Sequence, residues 1–199
     1  VTISGSRLYD STTTASSSIL TITSGVSGES LSLTGSGVLG AASAGTQTIT
    51  NNNTLAIADG TGGLASNYTL SGATINVTII PRTLNVTLSR EYDGTTSVSG
   101  ALLTPTFDSL QGGETLALSG TGSVSTANVG SSKAVSLGSI ALVAGSGNPS
   151  NYSLNSATMN VTQRVINLDG IRAYDATTNV LSSDTVSYTH LRAHETSID

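Results

Sequence analysis

A chain of 199 residues with 37% hydrophobic and only 10% charged residues carries enough apolar mass for a core and is not simply disordered. Its formal charge of −5, with seven Lys and Arg scattered along it, opposes binding to nucleic-acid phosphates. No apolar run approaches the roughly 20 residues that span a bilayer, so membrane insertion is not expected, and zero Cys excludes disulfides and thiolate metal sites.

The expected core is aliphatic, because aromatics are 4% and Trp is absent. With 33 Ser and 31 Thr, solubility comes from hydroxyls rather than ions. The first residue, Val1, is not Met and lies partway through a strand-like pattern, so the sequence reads as a fragment with no signal peptide to interpret. The phrase RLYDSTT begins at Arg7, and GESLSLTGSG from Gly28 brings the first alternation, Leu31 and Leu33. A Gly-rich loop, ADGTGGLASN, starts at Ala58, followed by SNYTLSGATINVT from Ser66 with Ile75, Val77 and Ile79 alternating. Such alternation predicts strands with one buried face. Pro81 cannot donate to a ladder and predicts a strand break before Leu84, Val86 and Leu88 resume the pattern.

From there the phrases recur. REYDGTT begins at Arg90, GETLALSGTG at Gly113 and SNYSLNSATMNVT at Ser150, and RAYDATT opens a third copy at Arg172. Tyr9, Tyr92 and Tyr174 are spaced by 83 and then 82 residues. A period this long means tandem modules rather than solenoid coils. We place module one over 1–80, module two over 81–164, the start of a truncated third module over 165–185, and a tail over 186–199. Turn-rich Gly, Asn and Ser clusters and the absence of helical spacing before residue 184 predict an all-β fold: tandem β-sandwich-like modules of about 82 residues, each of six or seven short strands. A parallel β-helix is the alternative, since it also suits Ser, Thr, Asn and Gly. In the recurrent turn, the Asp93 carboxylate is expected to accept from nearby amides and Tyr92 to bury its ring at the module end; Ser11 and Ala176 in place of Gly94 argue against a strict need for glycine.

Together, Arg-x-Tyr-Asp-x-Thr-Thr, the Gly-Glu-x-Leu-x-Leu strand, NVG at Asn128 and the Ser-Asn-Tyr segment resemble the YDG-type repeats of filamentous haemagglutinin-like, two-partner-secretion bacterial surface proteins. The resemblance covers about nine-tenths of the chain. It implies an exported polypeptide whose modules form stalk or spacer segments, an outer-membrane secretion transporter as partner, and no catalytic residues to transfer. Neighbouring modules of the same chain are the expected partners, with host or cell-surface glycans or proteins contacted through other parts of the full-length protein.

Sharper chemistry is weighed residue by residue. Asp93 with Glu114, and Asp10 with Glu29, give each module a pair of carboxylates of the kind a glycosidase needs about 5 to 10 Å apart, but a turn acid and a strand-opening acid are ordinary solvated positions. Asp59 stands alone in its Gly-rich loop and aligns with Ala144, unlike the repeated Gly-Asp motifs of calcium-binding β-rolls. Sequons at Asn52, Asn67, Asn76, Asn85, Asn151 and Asn160 are numerous, as a Ser/Thr-rich chain produces by chance. Module one has no lysine, since Lys133 is the only one in the chain, so Lys–Asn cross-links cannot be general. His190 and His194, four apart beside Glu195, have zinc-ligand spacing. They fall, however, in SYTHLRAHETSID, where composition changes abruptly and the text resembles a translated sequencing adaptor, so the tail is expected to be non-native. The catalytic, cofactor and metal expectations are therefore none, and the expected role is a non-catalytic stalk of an extracellular adhesin. A carbohydrate-binding or carbohydrate-active protein is the alternative, disfavoured because six Tyr and one Phe leave little for a sugar-stacking platform.

Overall fold

The computed structural model describes residues 1–169, 178–179 and 186–187. Module one contains β1 (Thr2–Leu8), β2 (Thr14–Ser16), β3 (Leu20–Thr23), β4 (Leu31–Thr34), β5 (Ser36–Leu39), β6 (Gly45–Asn51), β7 (Ala56–Asp59) and β8 (Asn76–Ile80). Module two repeats them in order as β9 (Arg82–Glu91), β10 (Ser97–Ser99), β11 (Thr106–Phe107), β12 (Leu116–Ser119), β13 (Thr121–Val124), β14 (Gly130–Ser136), β15 (Ala141–Ala144) and β16 (Tyr152–Thr162). The fold is all-β, interrupted only by three-residue 3-10 turns among the described residues. Each module has eight strands rather than six or seven, because Ala56–Asp59 (AIAD) and Ala141–Ala144 (ALVA), four residues each without a clean apolar–polar alternation, form a short seventh strand.

In each module six strands make one curled sheet, ordered β2-β5-β6-β8-β1-β3 and β10-β13-β14-β16-β9-β11. The other two form an antiparallel ribbon, β4 with β7 and β12 with β15. The ribbon packs Leu33 against the core of Ile3, Val77 and Ile79, and contributes Leu118 to the core of Val86, Leu88 and Met159. Strand alternation is what the sheet buries: Leu84, Val86 and Leu88 are inaccessible while Asn85, Thr87 and Ser89 face water. At the corner between ribbon and sheet, Gly35 and Gly120 have φ of 76° and 78°, and a Cβ there would lie 2.0 Å from the Thr54 and Ser139 carbonyl oxygens. That contact explains the glycine in LTGSG and LSGTG.

The first and last strands of a module are neighbours and run parallel: β1 with β8, from Ser4↔Asn76 to Leu8↔Ile80, and β9 with β16, from Tyr152↔Arg82 to Thr162↔Glu91. A chain whose first and last strands are parallel leaves the module at the end opposite to where it came in. The exit strand β8 then passes through Pro81 alone into β9. Beyond module two, β17 (Leu168–Asp169) pairs antiparallel with β18 (Val186–Ser187), as β1 pairs with β3 and β9 with β11. Of the expected third module and tail, residues 170–177, 180–185 and 188–199, including His190, His194 and Glu195, lie outside the described residues.

Candidate functional site: a tyrosine joint between modules

The recurrent phrase builds a self-contained turn. In module one the Asp10 Oδ1 accepts from the Thr12 amide and hydroxyl, both at 2.9 Å, while the Arg7 guanidinium pairs with Asp10 and donates to the Thr12 carbonyl and hydroxyl. Module two repeats this with Asp93 on the Thr95 amide and hydroxyl at 2.9 and 3.0 Å and Arg90 on Asp93 at 3.3 Å. Burial works against the Asp10 charge, but the Thr12 amide and Arg7 outweigh it, and the Thr95 amide acts likewise on Asp93; both carboxyls are held below the usual carboxylate range. Ser11 and Gly94 occupy the same left-handed place, at φ of 63° and 77°. The turn therefore requires positive φ rather than glycine itself, and a short polar residue meets that at a modest cost.

The turn aims its tyrosine at the next module. Tyr9 continues the parallel ladder through its amide to the Ile80 carbonyl at 2.9 Å, and Arg82 Nε donates back to the Tyr9 carbonyl at 3.0 Å. Its ring, 3% exposed, meets Tyr152 edge to face with centroids 5.3 Å apart. Both phenols donate to one carboxylate: Tyr9 to Glu114 Oε1 at 2.6 Å and Tyr152 to Glu114 Oε2 at 2.5 Å. The Gln111 amide donates to the Tyr152 oxygen at 3.0 Å, which completes that hydroxyl. Burial, then the hydrogen bond and field of Glu114, push Tyr9 up to about 12, and the same causes raise Tyr152.

Around the clasp the two modules share one core. Leu84, Leu116 and Tyr152 of module two belong to the same buried cluster as Ile3, Leu39, Ile75 and Val77 of module one. Asn151, 4% exposed, accepts from the Ala44 amide of module one at 2.8 Å. Ser11 lies so close to Gly112 that a Cβ on that glycine would come within 2.8 Å of the Ser11 hydroxyl. What the arrangement does chemically is lock two modules in one orientation through satisfied polar groups inside an apolar contact.

Among the described residues, the equivalent residues at the other module ends lack these partners. Tyr92 is 40% exposed, and Val129, which stands one residue before β14 as Ala44 stands before β6, is 50% exposed. In module one Tyr68 donates to Glu29, repeating the Tyr152–Glu114 bond, and this bond, then burial, raises the Tyr68 phenol. The expectation that Tyr92 buries its ring is met by its counterpart Tyr9 and not by Tyr92 itself, because burial there comes from the neighbouring module.

The carboxylates paired by sequence are not brought together as catalytic couples: Asp93 is engaged by Arg90 and Thr95, and Glu114 by the two tyrosines. Asp10 and Glu29 divide in the same way between Arg7 and Tyr68. Asp59 accepts from the Ala65 amide at 2.6 Å, which closes its Gly-rich loop. The Lys133 amine is taken up by the Thr126 and Asn128 carbonyls. No group of three or more potential metal ligands occurs among the described residues. Sequence reasoning missed Glu114, Tyr152 and Asn151 as partners of module one; the available signal was that Gly-Glu and Ser-Asn-Tyr recur in step with Tyr-Asp.

The profile of one family, the YDG domain, matches residues 1–77 and again 78–159. No curated protein and no solved structure matches the chain.

Proposed function

The chain belongs to the YDG-domain family, and on that premise we propose that it is a stalk or spacer segment of a secreted bacterial surface adhesin, whose work is to extend and present rather than to catalyse. The observation that carries this reading is the joint. Parallel first and last strands send the chain in at one end of a module and out at the other, and the Tyr9–Glu114–Tyr152 clasp holds the next module in place. A ten-residue strand such as β9 spans roughly 33 Å, so each module adds length of that order. Repetition supplies reach because each module contacts mainly its neighbours. A hydroxyl-rich, cysteine-free chain suits export without disulfide chemistry, and the resemblance to filamentous haemagglutinin-like repeats supplies the cell-surface setting and the outer-membrane transporter as partner.

Small-angle scattering on the chain tests the reading. An elongated particle is expected, with a radius of gyration well above the roughly 16 to 17 Å of a compact globule of this length. A compact value contradicts extension, and turnover of a glycan that is lost in Asp93→Ala or Glu114→Ala contradicts a non-catalytic role.

A further inference from the structure

We infer that the end of module one carrying Tyr68, Glu29 and Asn67 is a docking face for the Tyr-Asp turn of another YDG module, placed ahead of it in one polypeptide. The reasons lie in the established joint. Glu114 uses both oxygens, one for Tyr152 in its own module and one for Tyr9 of the module before. Glu29 holds Tyr68 through Oε2, and among the described residues its Oε1 accepts no hydrogen bond. The second acceptor position is thus filled in one module and open in the other.

The same holds for the amide. Asn148 caps the 3-10 turn Pro149–Asn151, and at its end Asn151 takes the Ala44 amide. The matching turn Ala65–Asn67 presents Asn67, an exposed residue whose side chain makes no hydrogen bond among the described residues. Apolar surface accompanies these polar groups: Leu64, which leads into that turn, is 55% exposed, and Val26, whose carbonyl receives the Glu29 amide, is 50% exposed. Module two shows the complementary half at its other end, with Tyr92 and the Val129 amide in the places of Tyr9 and the Ala44 amide. The two halves make a head-to-tail contact that does not close on itself, so the joint repeats along an array instead of ending in a dimer. This inference rests on the joint and not on the adhesin role, and scattering tests that role separately.

The test extends the full chain by placing a further copy of residues 81–165 before Val1, which reproduces a module, its exit strand and a short connection. Hydrogen exchange is then followed at the Val129 amide of the added copy, the group that meets Asn67. Asn67→Ala is expected to speed exchange there by roughly fivefold or more, the size of one lost hydrogen bond. Glu29→Ala is expected to loosen the same amide, because it releases the tyrosine beside it. The Asn67 side chain carries no hydrogen bond within module one and Glu29 only the one from Tyr68 at the module's end, so that module stays folded, which its own protected core amides verify in the same experiment. Exchange at the added Val129 amide that is unchanged by both substitutions overturns the inference.

Discussion

Tyr9 and Tyr92 follow equivalent strands, sit in the same Arg-Asp-Thr turn and continue the same ladder, yet one is 3% and the other 40% exposed. Local sequence and local structure are nearly identical, so the difference belongs to the neighbour. Tyr9 has a module laid over it, with Tyr152 against its ring and Glu114 on its hydroxyl. The comparison teaches that burial in a repeat array is a property of the joint, and it can be broken at either end.

The largest break is Tyr9→Ala. Emptying that site is expected to cost about 3–5 kcal/mol in urea unfolding, as for other buried aromatics. Tyr92→Ala is expected to cost about 1 kcal/mol or less, in the range of a partly exposed site. Equal losses would show that the ring's value lies within its own module.

Glu114→Ala comes next, since it leaves two buried phenols without their acceptor. A loss of about 1–3 kcal/mol is expected. Glu29→Ala in the same chain removes a bond at an exposed face and is expected to change the unfolding midpoint far less, a contrast that thermal unfolding of the two variants measures directly.

Alkaline titration sharpens the comparison through one proton. The folded state holds the Tyr9 proton up to about 12, above the value near 10 of an unfolded tyrosine. A raised folded value means that the stabilisation is fully present below about pH 10 and is lost as pH rises toward 12. Stability measured across that window is expected to fall in the parent chain and to fall less in Tyr9→Phe, and an unchanged slope in the variant contradicts the assignment.

The smallest effects are at the turns. Gly94→Ala places a Cβ at φ of 77° and is expected to destabilise by about 1 kcal/mol, whereas Ser11→Gly relieves the same conformation and is expected to be neutral or slightly stabilising. Calorimetry of the two variants would separate them.

The alternation of Leu84, Val86 and Leu88, and of Ile75, Val77 and Ile79, made the buried strand faces legible in the sequence, and all six are buried. The module period and the break at Pro81 were legible for the same reason: they are repeated or local features. The joint was not. Tyr9 and Glu114 are separated by 105 residues, and periodicity says which residues recur without saying which copy meets which. Glu114 looked like a solvated strand opener because an acid after glycine usually is one, and only the stacking of the modules encloses it. Asn151, read as one sequon among six, is buried for the same reason.

A double-mutant cycle between Tyr9→Phe and Glu114→Ala measures whether the joint is one cooperative unit linking two modules. Each side chain is in a different module, so any coupling in their unfolding free energies crosses the joint. A coupling of about 1 kcal/mol or more is expected for this pair, and additivity for Tyr92→Phe with Glu29→Ala, which share no hydrogen bond. Additivity of Tyr9→Phe and Glu114→Ala within about 0.3–0.5 kcal/mol would contradict it.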